Sequence, residues 1–294
     1  MIKLKQRHGG RGIPPINDAA PSTSGSDAHS HTKCFAITGV VGGAGVTSLC
    51  IQMAYELAQR QQNQTSSSRE RQAASVCIID LDFENGACSH YLDLQPGIQI
   101  SDMQGDPSRI DRDIINAMAV QHKSGISLLS TPNSLKGNRE VNPETVLALM
   151  DVTCQMFDFV ILDVPRFWQP WTHAAIAAAD NVGFVTDLTI PSLHKCRLRV
   201  AAMTAEIETV SSIDIILNKY ERIAFRNSLR LSDAEATLGQ EVYAKVGLDT
   251  DVVREAINWG IPVGIKGADS RFAKDSRILL ELWMHRNNQA VSFV

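Results

Sequence analysis

Nothing in this sequence has the spacing of a metal or disulfide framework. Its six cysteines, Cys34, Cys50, Cys77, Cys88, Cys154 and Cys196, include no C-x-x-C pair. Most fall in apolar strand or helix patterns, so they read as small core residues in a reducing cytoplasm. No apolar run approaches the roughly 18 residues of a membrane-spanning helix. The basic N-terminus lacks an apolar h-region, so no secretory signal is expected. Charge of one sign is not in excess: 28 basic and 32 acidic residues give a net charge of −4. That balance offers no electrostatic case for binding nucleic acid. No internal repeat is evident.

What is present is an alternation of apolar strands and amphipathic helices. A chain of 294 residues with 44% hydrophobic content can bury a sizeable core. The alternation predicts an α/β fold, with a mostly parallel sheet covered by helices on both faces. The strand Cys34 to Thr38 runs into Gly39-Val40-Val41-Gly42-Gly43-Ala44-Gly45-Val46-Thr47-Ser48 and then into a helix with apolar positions Cys50, Met53, Ala54, Leu57 and Ala58. Strand, glycine-rich turn and helix start form the setting of a phosphate-binding loop, whose N–H groups curl around phosphate oxygens at a helix N-terminus. The usual loop places a lysine on the β- and γ-phosphates. Here Val46 stands at that position, while Thr47 keeps the hydroxyl suited to a metal.

Three later strands also end in polar residues. Ser75 to Asp82 ends in Asp80 and Asp82, Phe159 to Pro165 carries Asp163, and Ile213 to Lys219 carries Asn218. In open α/β sheets, ligands bind beyond the carboxyl ends of the strands.

In order and kind these segments resemble the ParA/MinD family of P-loop NTPases, whose deviant Walker A reads KGGxGKT followed by Thr or Ser. Gly42, Gly43, Gly45, Thr47 and Ser48 match it. Both lysine positions are valines, Val41 and Val46. The resemblance implies ATP or ADP with Mg2+ as cofactors. It implies cofactor contacts from Gly42, Gly43, Ala44, Gly45, Val46, Thr47, Ser48 and Asn218, and metal contacts from Thr47, Asp80 and Asp163. It gives Asp82 the role of orienting the attacking water. The run Asp163-Val164-Pro165-Arg166-Phe167-Trp168-Gln169-Pro170-Trp171-Thr172 is similar to the CpaE/TadZ branch, the ParA-like proteins of Flp/Tad pilus assembly. The resemblance spans roughly residues 33 to 285. It implies a cytoplasmic homodimer at a cell pole or the inner-membrane face, working with the pilus machinery and its secretion ATPase. Membrane contact would be peripheral, through partners, and no nucleic acid is expected. With both lysines gone, it implies a localisation or assembly scaffold with weak or absent ATP hydrolysis. An active ATPase switch, and a chromosome-partition or septum-positioning ATPase, are the alternatives. Many members of that branch carry a receiver-like domain before the ATPase domain, and the tail here is too short for one.

Residues 1–32 read as a disordered tail, 33–286 as the P-loop domain and 287–294 as a short C-terminal tail. His29 and His31 read as part of the solvated tail, with metal binding as the alternative. Gln59 to Ala74 reads as a loop. Helices are expected near Ala87–Asp93, Asp111–Val120, Pro143–Met156 with Asn142 as cap, Trp171–Ala179, Pro191–Val210, Asp249–Trp259 and Ser270–Arg286. His194, Lys195, Arg197 and Arg199 give the Pro191 helix a basic flank, read as solvated surface or a partner-binding face. The last helix places Ile278, Leu279, Leu282 and Trp283 on one side, read as core packing in preference to membrane insertion. Arg166 supplies positive charge to phosphates in place of the missing lysine, positions the aromatic loop Phe167/Trp168/Trp171, or faces solvent.

Overall fold

A computed structural model describes residues 32–64, 74–99, 106–134, 141–207, 210, 212–221 and 229–291. Apart from Thr32, the expected tail at 1–32, including His29 and His31, lies outside them, as do residues 292–294. Eight strands form one sheet: β1 (Lys33–Gly39), β2 (Val76–Asp80), β3 (Val120–Gln121), β4 (Ile126–Leu129), β5 (Phe159–Val164), β6 (Asn181–Thr186), β7 (Asp214–Tyr220) and β8 (Ala244–Gly247). Their order is β3-β4-β2-β5-β1-β6-β7-β8. All neighbours run parallel except β3, which pairs antiparallel with β4.

Side chains alternate across the sheet with period two, and each central strand serves two apolar layers. In β1, Cys34 and Ala36 point into one cluster, and Phe35 and Ile37 into the other. The first layer is closed by α3 (Arg112–Met118), α4 (Pro143–Met156), α5 (Pro170–Ala177), α6 (Ile190–Glu206) and α7 (Leu231–Leu238). The second is closed by α1 (Val46–Gln64), α2 (Cys88–Tyr91), α8 (Thr250–Asn258) and α10 (Arg271–Val291), with α9 (Gly264–Gly267) between the last two. Sheet and helices therefore form the expected three layers. The α4 helix begins as the sequence predicts, with Asn142 Oδ1 accepting from Thr145 N at 2.7 Å. Thr189 caps α6 from just before Pro191.

Several expectations need correction. The first helix runs through Gln64, so the expected loop begins later than Gln59, and Arg60 is helical with an ion pair to Glu281 at 2.7 Å. The last helix runs to Val291, past the expected end at Arg286. Its buried side consists of Phe272, Ala273, Ser276, Leu279, Leu280 and Trp283, whereas Ile278 and Leu282 are exposed. Ser276 tolerates the core because its hydroxyl donates to Phe272 O at 2.6 Å. Trp283 stacks on Phe35 with centroids 5.4 Å apart and gives its indole N–H to Asp214 at 2.7 Å. No helix among the described residues is long and apolar enough to cross a membrane.

Candidate functional site

The sheet brings the predicted strand ends together. β1 lies between β5 and β6, and Asp80 of β2 is in register with Asp163 of β5. Beyond these ends opens a cavity of about 680 Å³, lined by the glycine loop and by Asp82, Asp163, Arg166, Asn218 and Lys219 among others.

The loop between β1 and α1 is held from its carbonyl side. Asn218 Nδ2 donates to Ala44 O at 2.7 Å, and Lys219 Nζ donates to Gly43 O at 2.7 Å. Arg199 Nη1 donates to Gly39 O at 2.9 Å, and its other terminal nitrogen donates to Arg166 O. The N–H groups of Gly42, Gly43 and Gly45 find no acceptor among the described residues. Gly45 has φ +87°, and a Cβ there would lie 2.4 Å from Asn218 Nδ2, so only glycine fits. Val41 and Val46, at the two lysine positions, are partly buried against the apolar core. Arg166 is exposed, with its Nη1 about 3.4 Å from where a Cβ on Gly42 would stand.

The acids lie at the inner end of the cavity. Asp163 Oδ2 accepts from Thr47 Oγ1 at 2.7 Å and from Cys88 Sγ at 3.4 Å. Asp80 accepts from Asp82 N at 3.1 Å and from Cys88 N at 3.0 Å. Burial pushes the Asp80 carboxyl up to about 8, with the neighbouring Asp163 charge adding to the effect. Burial raises Asp163 to about 6 against the opposing hydrogen bonds from Thr47 and Cys88. Asp82 is half-buried and accepts from Asn85 N at 2.9 Å. Two buried carboxylates in register, bridged by Cys88, with the Thr47 hydroxyl on Asp163 and no cationic partner among the described residues, fit a hard divalent cation. Unpaired N–H groups at the start of a 19-residue helix fit an anion.

No family model matches the sequence. The septum site-determining protein MinD of Thermotoga maritima is 23% identical over 248 residues, covering 81% of this chain and 83% of that protein. The crystal structure of a ParA family ATPase from Chlorobium tepidum superposes with a TM-score of 0.73 at 18% identity, covering 87% of this chain and 99% of that one. The chain has the ParA/MinD fold. MinD of Pyrococcus horikoshii, solved with Mg-ADP, superposes with a TM-score of 0.66 at 17% identity, over 88% of this chain and 97% of that one.

Within this ParA/MinD fold, the glycine loop, Thr47, Ser48, Asp82, Asp163, Arg166 and Asn218 all line one cavity. Asp80 lies behind it in the Asp163 cluster, with ligand atoms of Asp80, Cys88 and Asp163 all within 4.8 Å of one another. Asn218 is only 3% exposed and is committed to the loop carbonyl. Trp171 is buried against Phe83, and Trp168 packs edge-on against His173, so both anchor the segment after β5, while Phe167 is exposed. Three residues that contact the site escape the sequence reading. Cys88 sits on the acid cluster and not only in the core. Arg199 clamps the loop and so is more than a solvated flank; burial and the nearby Arg166 charge hold its pKa below the usual guanidinium range. Lys219 reaches the loop from β7, and the signal available for it was its position directly after Asn218.

Proposed function

We propose that this chain is a ParA/MinD-like nucleotide-binding protein that takes ATP or ADP with Mg2+ and hydrolyses ATP weakly or not at all. It acts as a localisation or assembly scaffold of a Flp/Tad pilus system, in the manner of the CpaE/TadZ branch, and works as a homodimer in the cytoplasm. The observation that carries the nucleotide reading is the Thr47–Asp163 hydrogen bond of 2.7 Å at the foot of a loop with free N–H groups. Gly42 to Ser48 hold the phosphates, and Thr47, Asp80 and Asp163 hold the metal, which neutralises phosphate charge when bound. Asp82 stands at the cavity wall, where it orients water. The pilus assignment rests on the run from Asp163 to Thr172 and on the absence of both lysines.

Phosphoryl transfer depends on positioning and on charge placed at the β- and γ-phosphates. Val46 gives neither, because its side chain packs on the core. One charge-assisted contact is worth about 1.5–3 kcal/mol. Its loss lowers affinity roughly 10- to 150-fold relative to a lysine-bearing loop. Titration calorimetry with Mg-ATP and Mg-ADP tests the reading: heat at sub-millimolar to millimolar nucleotide is expected, with no burst of phosphate release. Absence of binding at millimolar nucleotide refutes it. A second reading, an active ATPase switch, is favoured by Arg166, whose guanidinium lies beside Gly42. Robust turnover that Arg166→Ala abolishes would establish that reading instead.

A further inference from the structure

We propose that Lys219 is a nucleotide-binding residue that delivers, from β7, the cation the glycine loop itself lacks, with the phosphate chain as its target. The proposal rests on the nucleotide reading of the site and names a contact within it.

Two features of β7 aim this one side chain. The pairing of β7 with β8 shifts register between Leu217 and Tyr220, a bulge-like irregularity at the strand's carboxyl end. Bulges of this kind redirect a side chain and occur beside active sites. Lys219 itself has φ +55°, in the left-handed region that an L side chain other than Asn or Asp enters at a cost. The result is that Nζ crosses to the loop and donates to Gly43 O at 2.7 Å, on the wall of the cavity.

The chemistry of the ammonium completes the argument. It has three N–H donors, and Gly43 O takes one; the ammonium makes no other hydrogen bond among the described residues, while the Lys219 backbone N donates to Asn218 Oδ1 at 2.8 Å. The cavity is lined by Asp82, Asp163 and Asp249, while Val41 and Val46 contribute no charge. A polyanion entering it would meet two kinds of neutralising group: a metal that the acid side would hold when one is bound, and cations on the loop's outer rim. Arg166 stands at the Gly42 side and stacks its guanidinium 4.9 Å from the Phe167 ring centroid. Lys219 stands at Gly43, anchored in place before any ligand arrives. Anchoring keeps the loss of side-chain freedom on binding small.

The test compares the full chain with Lys219→Asn and Lys219→Arg, measuring Mg-ADP, Mg-ATP and AMP affinity by calorimetry and thermal midpoint by scanning fluorimetry. Asn is at ease in the left-handed region and removes the charge. Lys219→Asn is expected to weaken ADP and ATP binding at least tenfold and AMP binding less than threefold, with a midpoint equal to or above that of the native chain. Lys219→Arg should retain ADP affinity within threefold. Native-like ADP affinity in Lys219→Asn overturns the proposal while leaving nucleotide binding intact. An equal loss for all three nucleotides, together with a lowered midpoint, also overturns it, since that pattern belongs to a lysine that only pins the loop. A native chain that binds none of the three removes the nucleotide reading and this proposal together.

Discussion

Gly45→Ala is expected to destabilise the chain by about 2–5 kcal/mol, and the structure divides that cost into two parts. At φ +87° a Cβ is strained against its own carbonyl, worth about 1–2 kcal/mol. The same Cβ would lie 2.4 Å from Asn218 Nδ2, so Asn218 must move. Moving it breaks the 2.7 Å bond to Ala44 O in a buried setting, worth about 1–3 kcal/mol. Against a typical total of about 5–15 kcal/mol this is a large fraction. Urea denaturation of the native chain, Gly45→Ala, Asn218→Ala and the double variant measures both parts. In the Asn218→Ala background the clash is gone, so Gly45→Ala should cost only the strain, leaving a coupling of about 1–3 kcal/mol. Strictly additive costs, or a Gly45→Ala penalty under 1 kcal/mol, would refute the claim that Asn218 and the loop are interlocked.

Other outcomes follow from the same geometry. Val46→Lys should raise ATP turnover at least tenfold by restoring charge at the phosphates, read by phosphate release, at some loss of stability because Val46 Cγ2 fills space beside Gly39. With Mg2+ chelated, Asp80 and Asp163 have folded pKa values above the unfolded value of about 3.9, so folding takes up protons. Their stabilising contribution is complete below about pH 4 and is lost as pH rises through about 6 and about 8; melting between pH 5 and 8.5 should show the fall, and Asp80→Asn or added Mg2+ should flatten it. Arg286→Ala strips a two-pronged contact at 2.9 and 2.6 Å from Asp214, whose side chain is 6% exposed. The expected cost is about 2–4 kcal/mol, tempered by the 38% exposure of Arg286, and Asp214→Asn in the same chain should recover part of it in urea denaturation.

The strands that build the site were legible because each is an apolar run closed by a polar residue: Asp80 after Cys77-Ile78-Ile79, Asp163 after Val160-Ile161-Leu162, Asn218 after Ile215-Ile216-Leu217. The α4 start was legible because Asn142 and Pro143 are a cap and a first-turn residue. What the sequence hid depended on distant parts of the chain. β3 and β8 have two and four residues, too few to show a period. The buried face of α10 was misassigned because Ser276, a polar residue, occupies one of its positions, while the apolar Ile278 and Leu282 sit outside it. Lys219 carries no signal of its own, since neither an irregular pairing nor a left-handed backbone is written in the identity of a lysine. Arg199 looked like any basic residue on a helix surface until Gly39 came within reach of it.

The three clamps on the loop carbonyls have a consequence for signalling. Arg199 and Asn218 hold the Gly39 and Ala44 carbonyls from behind, and Lys219 holds the Gly43 carbonyl from the cavity wall. A cradle fixed from behind is equally shaped before and after its guest arrives, so it cannot announce occupancy by changing form. News of a bound nucleotide would leave by the margin where the exposed side chains of Arg166 and Phe167 and half-buried Asp82 stand. A partner that senses the loaded state would therefore be expected to read that margin, and to be indifferent to the glycines themselves.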